Sequence, residues 1–596
     1  MSVGEIGLKA KAFFLHENVV LLVLAVIVGV AGAHVALGFR EGISLVNRLF
    51  YQVSAENLTS RLTELPWWQV MLAPALGGLL VGQVNTRLMK GRRGQGVGNI
   101  IEVNALHGAK MDLKQGLSNA LANTISIGAG ASIGREGTIL HLTSTVTTWC
   151  AARLRLQQHH QHILLGCAVA AGMAASFNAP IAGVFFALEV VLRHYALTAF
   201  APVVISSVIG TMITRIYYGD FPAYILPHYD VVTFWEFPAF LLLGIVCGFA
   251  AILFMWTVFT TEDIIRKVKL PAWLKPAIGG LTVGGIALFL PHVMGVGYET
   301  TTKVLNESLG MNLTWLLGLI VFKTVATAVS IGSGFGGGVS SPSIFVGTIV
   351  GSAFGTVAAM PFPDLGIHTG LYAIVGMAST SAAVLGAPIS CILIVFELLG
   401  DFKITIGVMS GAAVATLLVQ SILGKSYYLW RLQRRGIELE GARAMQILRQ
   451  QVVGDVAGTG FHSVEATTKL MEVIDFLHTL PEGAEAVVVE DGYRFVGTIQ
   501  LEDVKDVAFD PLANQDALEA QSFVRLYPEV LTADQTLARA IAVMSKWKAD
   551  RLPVVSDVDS MSVVGMVDKN TLLEAYVDAL LQAEAESHGG GAKSRT

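Results

Sequence analysis

Arg135 and Glu136 stand side by side between glycines in GAGASIGREGTILHL, residues 128–142. The flanking stretches LSNALANTISIG and ILHLTSTVTTW carry no other charge. Unpaired charge is costly in an apolar medium, so an ionic pair kept there points to a function. Two further glycine-rich interruptions share its character, GQGVGN (94–99) and GGGVSSP (336–342). A helix that begins within apolar surroundings directs unpaired backbone N–H groups and a partial positive charge at whatever lies ahead of it. With no water to accept those donors, an anion serves, and glycine lets the backbone come close to it. Pro342 fits a helix start, where proline is tolerated. For any one break the alternative is close helix packing in lipid through small residues. Three breaks, two of them repeat-related and one carrying Arg–Glu, favour anion binding. Gly332, Gly334 and Gly337 also spell the dinucleotide pattern, but the residues that follow are all apolar or small and lack the acid that pattern needs.

Composition says what kind of elements must position these breaks. Of 596 residues 53% are hydrophobic and 14% charged, with a mean hydropathy of +0.60. Soluble domains carry about 25% charged residues, so a membrane protein is expected. Residues 430–596 hold 16 Lys and Arg against 26 Asp and Glu, while residues 1–429 hold 24 against 19. A sparsely charged, slightly basic membrane body is therefore followed by one of ordinary soluble composition. The long apolar run near the N-terminus reads as a first membrane helix rather than a signal peptide. Lys9 and Lys11 ahead of it place the N-terminus in the cytoplasm. Cys150, Cys167, Cys247 and Cys391 all lie in apolar stretches and are expected as buried free thiols. QQHHQH, with His159, His160 and His162, reads as a hydrophilic loop rather than a metal site.

The membrane body repeats itself. PALGGLLVG (74–82) returns as PAIGGLTVG (276–284), and GQGV (94–97) as GVGY (295–298). SIGAGASIGREG (126–137) returns as SIGSGFGGGVSS (330–341), and GMAASFNAPIAGVFFALEVV (172–191) as GMASTSAAVLGAPISCILIVFELLG (376–400). The order is kept without crossing. Interrupted hydrophobic segments at matching places in two halves point to a transport site near the bilayer midplane. Whether the halves are inverted or parallel is left open by the sequence.

GREGT, FNAPIAGVFFALE, GGGVSSP and the tyrosine in GKSYYLWRL together resemble the CLC chloride channels and chloride/proton exchangers, over roughly residues 18–435. The resemblance implies an α-helical polytopic membrane protein of two inverted-topology repeats, about 70–220 and 272–420, assembled as a homodimer. It implies that Glu136 is the gating carboxylate, which mimics the permeant anion at the external site and moves aside. By the same resemblance Arg135, Gly137, Val339, Ser340 and Ser341 lie at the anion, with the amides of Gly134–Thr138 and Val339–Ser341 as its cradle. Tyr428 would face the central anion, with Tyr427 as a one-residue alternative. The chain departs from the family at Gln95, beside Gly96, where a serine is usual, and at Ser340, which replaces an aromatic residue. Val190 stands where many exchangers carry an inner proton acid. This leans the reading to uncoupled, channel-like conduction, with chloride/proton antiport as the alternative. Glu189 and Glu397 are expected to be structural.

From about residue 452 the pattern becomes soluble α/β alternation, again doubled, in AVVVEDGYRFVGTIQLEDVKD (486–506) and LPVVSDVDSMSVVGMVDKNTLLEAY (552–576). Each is two short strands followed by a helix. This resembles tandem CBS domains, expected over 452–583 after a linker at 436–451 and before a disordered tail at 584–596. Such pairs sometimes bind adenine nucleotides, and the matching positions are Gln500, Asp503, Asp568 and Thr571. A dimerising, stabilising role is preferred, with no cofactor required. The expected protein is not an enzyme, since no nucleophile–base pair or metal constellation lies in the repeats. A cation-coupled transporter is the rival of a different class, disfavoured because helix starts repel cations. Partners are chloride or a similar anion, the bilayer and a second copy, with no nucleic acid. A bacterial inner membrane is expected, with N- and C-termini in the cytoplasm.

Overall fold

The computed structural model describes residues 17–53, 57–89, 96–220, 224, 229, 236–310, 312–361, 367–437, 442–458, 460–480, 485–508, 518–527, 529–547, 549–557 and 559–587. Two units divide after Glu438. In the first, helix α1 (Glu17–Tyr51) and short α2 (Leu58–Leu62) precede α3 (Trp67–Arg87), α4 (Val97–Leu106) and α5 (Leu113–Gly128). Then come α6 (Glu136–Arg153), α7 (Gln158–Phe177), α8 (Pro180–Phe186, continued as a π-turn over Ala187–Leu192) and α9 (Leu197–Tyr218). After α10 (Glu236–Lys267) the series recurs as α11 (Lys275–Phe289), α12 (Tyr298–Leu305), α13 (Leu313–Ser333) and α14 (Ser340–Ala359). It continues with α15 (Thr369–Leu385), α16 (Pro388–Leu399) and α17 (Phe402–Leu423), and closes on α18 (Tyr427–Gln433). Each helix from α3 to α9 has its counterpart, in order, from α11 to α17. Among the described residues seven helices are long and apolar enough to cross a membrane.

Local chemistry sets the boundaries. Asp112, Asn312 and Asp401 cap α5, α13 and α17 by accepting from backbone N–H groups. Pro180 and Pro388 open α8 and α16, where a missing N–H costs nothing. Gly334 ends α13 at φ 108°, a left-handed cap that suits glycine.

The two repeats touch through matching residues. Gly134 and Gly338, equivalent in the repeats, exchange N–H···O bonds of 2.8 and 2.9 Å. Ser132 N–H donates to Ser330 Oγ, and Gly336 N–H donates to Ser126 Oγ, both at 3.2 Å. Glu189 accepts from Ile389 and Ser390 N–H, and Glu397 from Ile181 and Ala182 N–H. Such reciprocity, with i meeting j and j meeting i, is the mark of a two-fold relation. A Cβ on Gly78 would lie 2.2 Å from the Pro276 carbonyl oxygen, and one on Gly280 2.2 Å from that of Pro74. Further along, Gly82 faces Trp273 and Gly284 faces Met71, so α3 and α11 run antiparallel. Because α3 is a spanning helix, the axis relating the pair lies in the membrane plane. The repeats are inverted.

Two expectations are corrected in this unit. Cys167, Cys247 and Cys391 are buried free thiols, but Cys150 is exposed, near the end of α6, on its outward face. His159, His160 and His162 lie in the first turns of α7 rather than in a loop, because the apolar run behind them continues the helix. No group of His, Cys, Asp or Glu suited to a metal occurs among the described residues.

The second unit holds two three-stranded sheets of the same design. In one, β1 (His462–Glu465) pairs parallel with β2 (Glu485–Glu490), which pairs antiparallel with β3 (Arg494–Gln500). In the other, β4 (Leu531–Thr532), β5 (Arg551–Val555) and β6 (Val563–Asp568) repeat the order, with the register shift again in the middle strand. Val487, Val489, Phe495 and Val555 form a shared apolar cluster. The segment expected as a linker contains a helix, Ala442–Leu448, whose Ala444, Ile447 and Leu448 are buried in the core of the second half. Its apolar face makes it part of the unit. The last helix, Lys569–Ser587, continues into the expected tail; residues 588–596 and 1–16 lie outside the described residues.

The close approach of α3 and α11 makes a prediction. Gly78→Ala and Gly280→Ala should each lower the thermal unfolding midpoint in detergent, to similar degrees. The cost of forcing the backbones apart is about 1–3 kcal/mol. Gly285→Ala, where a Cβ meets nothing within 4 Å, should leave the midpoint unchanged or higher.

Candidate functional site

Each glycine-rich break ends where a helix begins: α4 after Gly96, α6 after Arg135 and α14 after Val339. These starts meet. A Cβ on Gly137 would lie 3.7 Å from Gly338 Cα and 4.0 Å from Val97 N. The Gly134–Gly338 exchange holds the second and third breaks together, and it narrows the expected cradle. Gly134 N–H is spent on Gly338 and Thr138 N–H on the Arg135 carbonyl at 3.1 Å. The Glu136 and Gly137 amides, in the first turn, have no intrahelical acceptor, and the same holds for Ser340 and Ser341. Three positive helix ends thus point into one small buried region.

Glu136 is 1% exposed. Ser341 Oγ lies 2.6 Å from both of its carboxylate oxygens, giving its one proton to either. Tyr298, at the start of α12, donates its hydroxyl to Glu136 Oε1 at 2.6 Å. The Arg135 guanidinium lies 4.6 Å over the Tyr298 ring, a cation–π arrangement. Hydroxyl donors to a carboxylate make short, charge-assisted bonds, so the carboxylate has a defined seat.

Of the two tyrosines, Tyr428 reaches the site. Its hydroxyl lies 3.3 Å from Ser340 Oγ. Tyr427 stacks on Phe259 and accepts from Arg431 at 2.9 Å. Gly96, Val97, Gly137, Val339 and Tyr428 form the buried end of a cavity of about 830 Å³. Lys110, Arg266, Arg431, Arg434 and Arg435 also line it, against Glu102, Asp112 and Glu262. A cleft with an excess of one sign raises the local concentration of the opposite ion. A Cβ on Gly96 would meet nothing within 4 Å, so this glycine borders open space. Gln95 lies outside the described residues.

Val190 is buried, at 6% exposure, in the π-turn after α8. Its neighbour Glu189 is committed to the start of α16, bonding Ile389 N–H at 3.1 Å, Ser390 N–H at 3.0 Å and Ser390 Oγ at 2.6 Å. Glu397 does the same for α8, with both N–H groups at 2.8 Å.

In the second unit, all four expected nucleotide positions serve helix starts. Asp503 accepts from Gln500 N–H at 2.9 Å and from Arg525 at 2.8 Å, while Arg525 also reaches Gln500 Oε1. The Asp503 bond raises the Arg525 guanidinium above its usual range. Asp568 accepts from Thr571 N–H at 2.8 Å and from its hydroxyl at 3.1 Å.

Sequence reasoning missed Tyr298. The only signal was its place at the end of GVGY, the repeat counterpart of the break before α4.

Three comparisons bear on this arrangement. Residues 77–420 match the voltage gated chloride channel family, and residues 523–578 match the CBS domain. The ClcB-like chloride channel protein of Ralstonia nicotianae is 30% identical over 70% of this chain and 97% of its own. Chloride channel protein CLC-f of Arabidopsis thaliana is 30% identical over 66% of this chain and 53% of its own. Among solved structures, a slow cyanobacterial Cl−/H+ antiporter superposes with a TM-score of 0.63 at 23% identity, covering 71% of this chain and 98% of its own. A eukaryotic CLC transporter reaches 0.61 at 18% identity over 92% and 97%. Inverted repeats, the breaks that begin α4, α6 and α14, and a match over more than half its length make the same assignment: this chain belongs to the voltage-gated chloride channel (CLC) family, whose members are channels and transporters rather than enzymes.

Proposed function

We propose that the protein carries chloride or a similar small anion across a bacterial inner membrane as a homodimer, each subunit with its own path gated by Glu136. The observation that carries this reading is the seat of the Glu136 carboxylate beside the converging helix starts. There it takes the position of a permeant anion. It blocks the path while ionised and opens it when displaced or protonated. Tyr428 and Ser340 offer hydroxyls, and Val339, Ser341 and Gly137 offer amides, to an anion below it. Gln95 adds an amide donor in place of a hydroxyl. The basic cavity gathers anions at one mouth, and Arg135 acts through Tyr298 rather than on the anion. The second unit works as a paired CBS module that stabilises the dimer, with adenine nucleotide as an optional ligand. Both termini lie in the cytoplasm.

Uncoupled conduction is the preferred mode. Moving a proton past Val190 without a titratable group is costly, and Glu189 is occupied as a helix cap. Proton exchange is the second reading, supported by the Cl−/H+ antiporter among the structures with this fold.

Two measurements test the proposal. Radiotracer chloride should enter proteoliposomes containing the protein, and Glu136→Gln, which removes the charge but keeps the shape, should maintain or raise that flux while abolishing its dependence on external pH. A pH dependence that survives places the gate elsewhere. With a chloride gradient at symmetric pH, no uphill proton movement is expected; pumping that disappears in Glu136→Gln establishes exchange instead.

A further inference from the structure

Lys323 is fully buried within the spanning helix α13, where an ammonium is expensive and marks a function. Its partners are carbonyls rather than a carboxylate. Nζ donates to Val293 O and Gly295 O, both at 2.9 Å, and lies 4.8 Å from the centre of the Phe345 ring. Those carbonyls belong to the turn that leads into α12. Gly297 closes the turn at φ +93°, where a Cβ would come within 2.6 Å of Phe345 and 3.5 Å of Lys323 Nζ. The next residue is Tyr298, whose hydroxyl bonds Glu136. The Tyr298 ring is held on one side by Arg135 at 4.6 Å and packs against Tyr224 at 5.1 Å. A buried ammonium, a turn that admits no side chain at Gly297 and a clamped phenol therefore lead in sequence to the carboxylate.

We infer that Tyr298 is a latch for the gating carboxylate and that Lys323 is the positioning residue that sets it, by tying down the turn from which α12 starts. The inference rests on the reading of Glu136 as the gate. Ser341 and Tyr298 both donate to the carboxylate, so each favours the seated, ionised side chain. Removing the Tyr298 hydroxyl leaves the Ser341 bond and releases the seat more often. Bonds to charged groups shift such equilibria by about tenfold or more. The titratable or charged groups that face this carboxylate or its latch are Arg135, Tyr298, Tyr224 and Tyr428, together with Lys323 behind the turn and His292, bonded to Thr300 in α12.

The test uses the full-length protein in proteoliposomes and chloride flux against external pH. Tyr298→Phe keeps the ring under Arg135 and should raise flux about tenfold at neutral pH, converging with the unmodified protein at acid pH. Lys323→Met should move flux in the same direction, with no further increase in the double variant. If Lys323→Met does not fold, Lys323→Gln replaces it. In a Glu136→Gln background, Tyr298→Phe should change nothing, whereas a merely structural defect lowers flux in both backgrounds. Glu136→Gln that keeps the pH dependence of flux overturns the gate itself. Glu136→Gln that raises flux while Tyr298→Phe does not overturns the latch alone, and additive effects of the Lys323 and Tyr298 variants remove Lys323 from it.

Discussion

Backbone donors at a helix start buried in an apolar interior must find an acceptor, because no water reaches them. Breaking spanning elements to start helices at Val97, Glu136, Pro180, Ser340 and Pro388 creates that demand repeatedly. The chain answers with carboxylates. Glu189 and Glu397 accept from two backbone N–H groups each, across the repeat boundary. Glu136 is different, since the bonds to its carboxylate come from the hydroxyls of Ser341 and Tyr298. Side-chain donors can rotate to another acceptor, whereas capped backbone donors cannot move without unwinding a turn. The same residue type thus gives two carboxylates held by backbone donors and one held by hydroxyls.

The two-fold relation brings these parts together. A break in one repeat is flanked by its counterpart from the other because Gly134 and Gly338 bond each other, and the Ser126 and Ser330 hydroxyls take up backbone N–H groups of the opposite repeat. Glycines at Gly78 and Gly280 bring α3 and α11 into backbone contact. Each contact made once is made twice, so the cost of every interrupted helix is offset by its partner. The symmetry is broken at one position: Glu136 in the first repeat stands opposite Ser340 in the second, so one half brings the carboxylate and the other its hydroxyl seat.

Charge is distributed in the same spirit. The basic side chains that line the cavity are paired at its rim, Arg435 with Glu102 at 2.8 Å and Arg431 with Glu262 at 3.6 Å. Pairing orients them without cancelling their excess, and the buried end offers amides and hydroxyls rather than fixed charge.

Much of this was legible in the chain. Glycine and proline punctuation marked the helix starts, because only certain residues tolerate an interrupted backbone, and the ordered repeats showed that the body was built twice. Both are local properties of residue type and spacing. Tertiary structure alone decided the rest. Inversion of the repeats is a relation between helices distant in sequence, carried by matching contacts such as Gly78 with Pro276. The choice of Tyr428 over Tyr427 depended on which hydroxyl faced Ser340, a matter of helix rotation by one residue. Helix 442–448 was read as linker because its few apolar residues have meaning only against the core they fill. Tyr298 was marked only by its place after the glycines of GVGY, and Lys323 only as a charge in an apolar run; what each one touches, Glu136 and the turn before α12, was decided by folding.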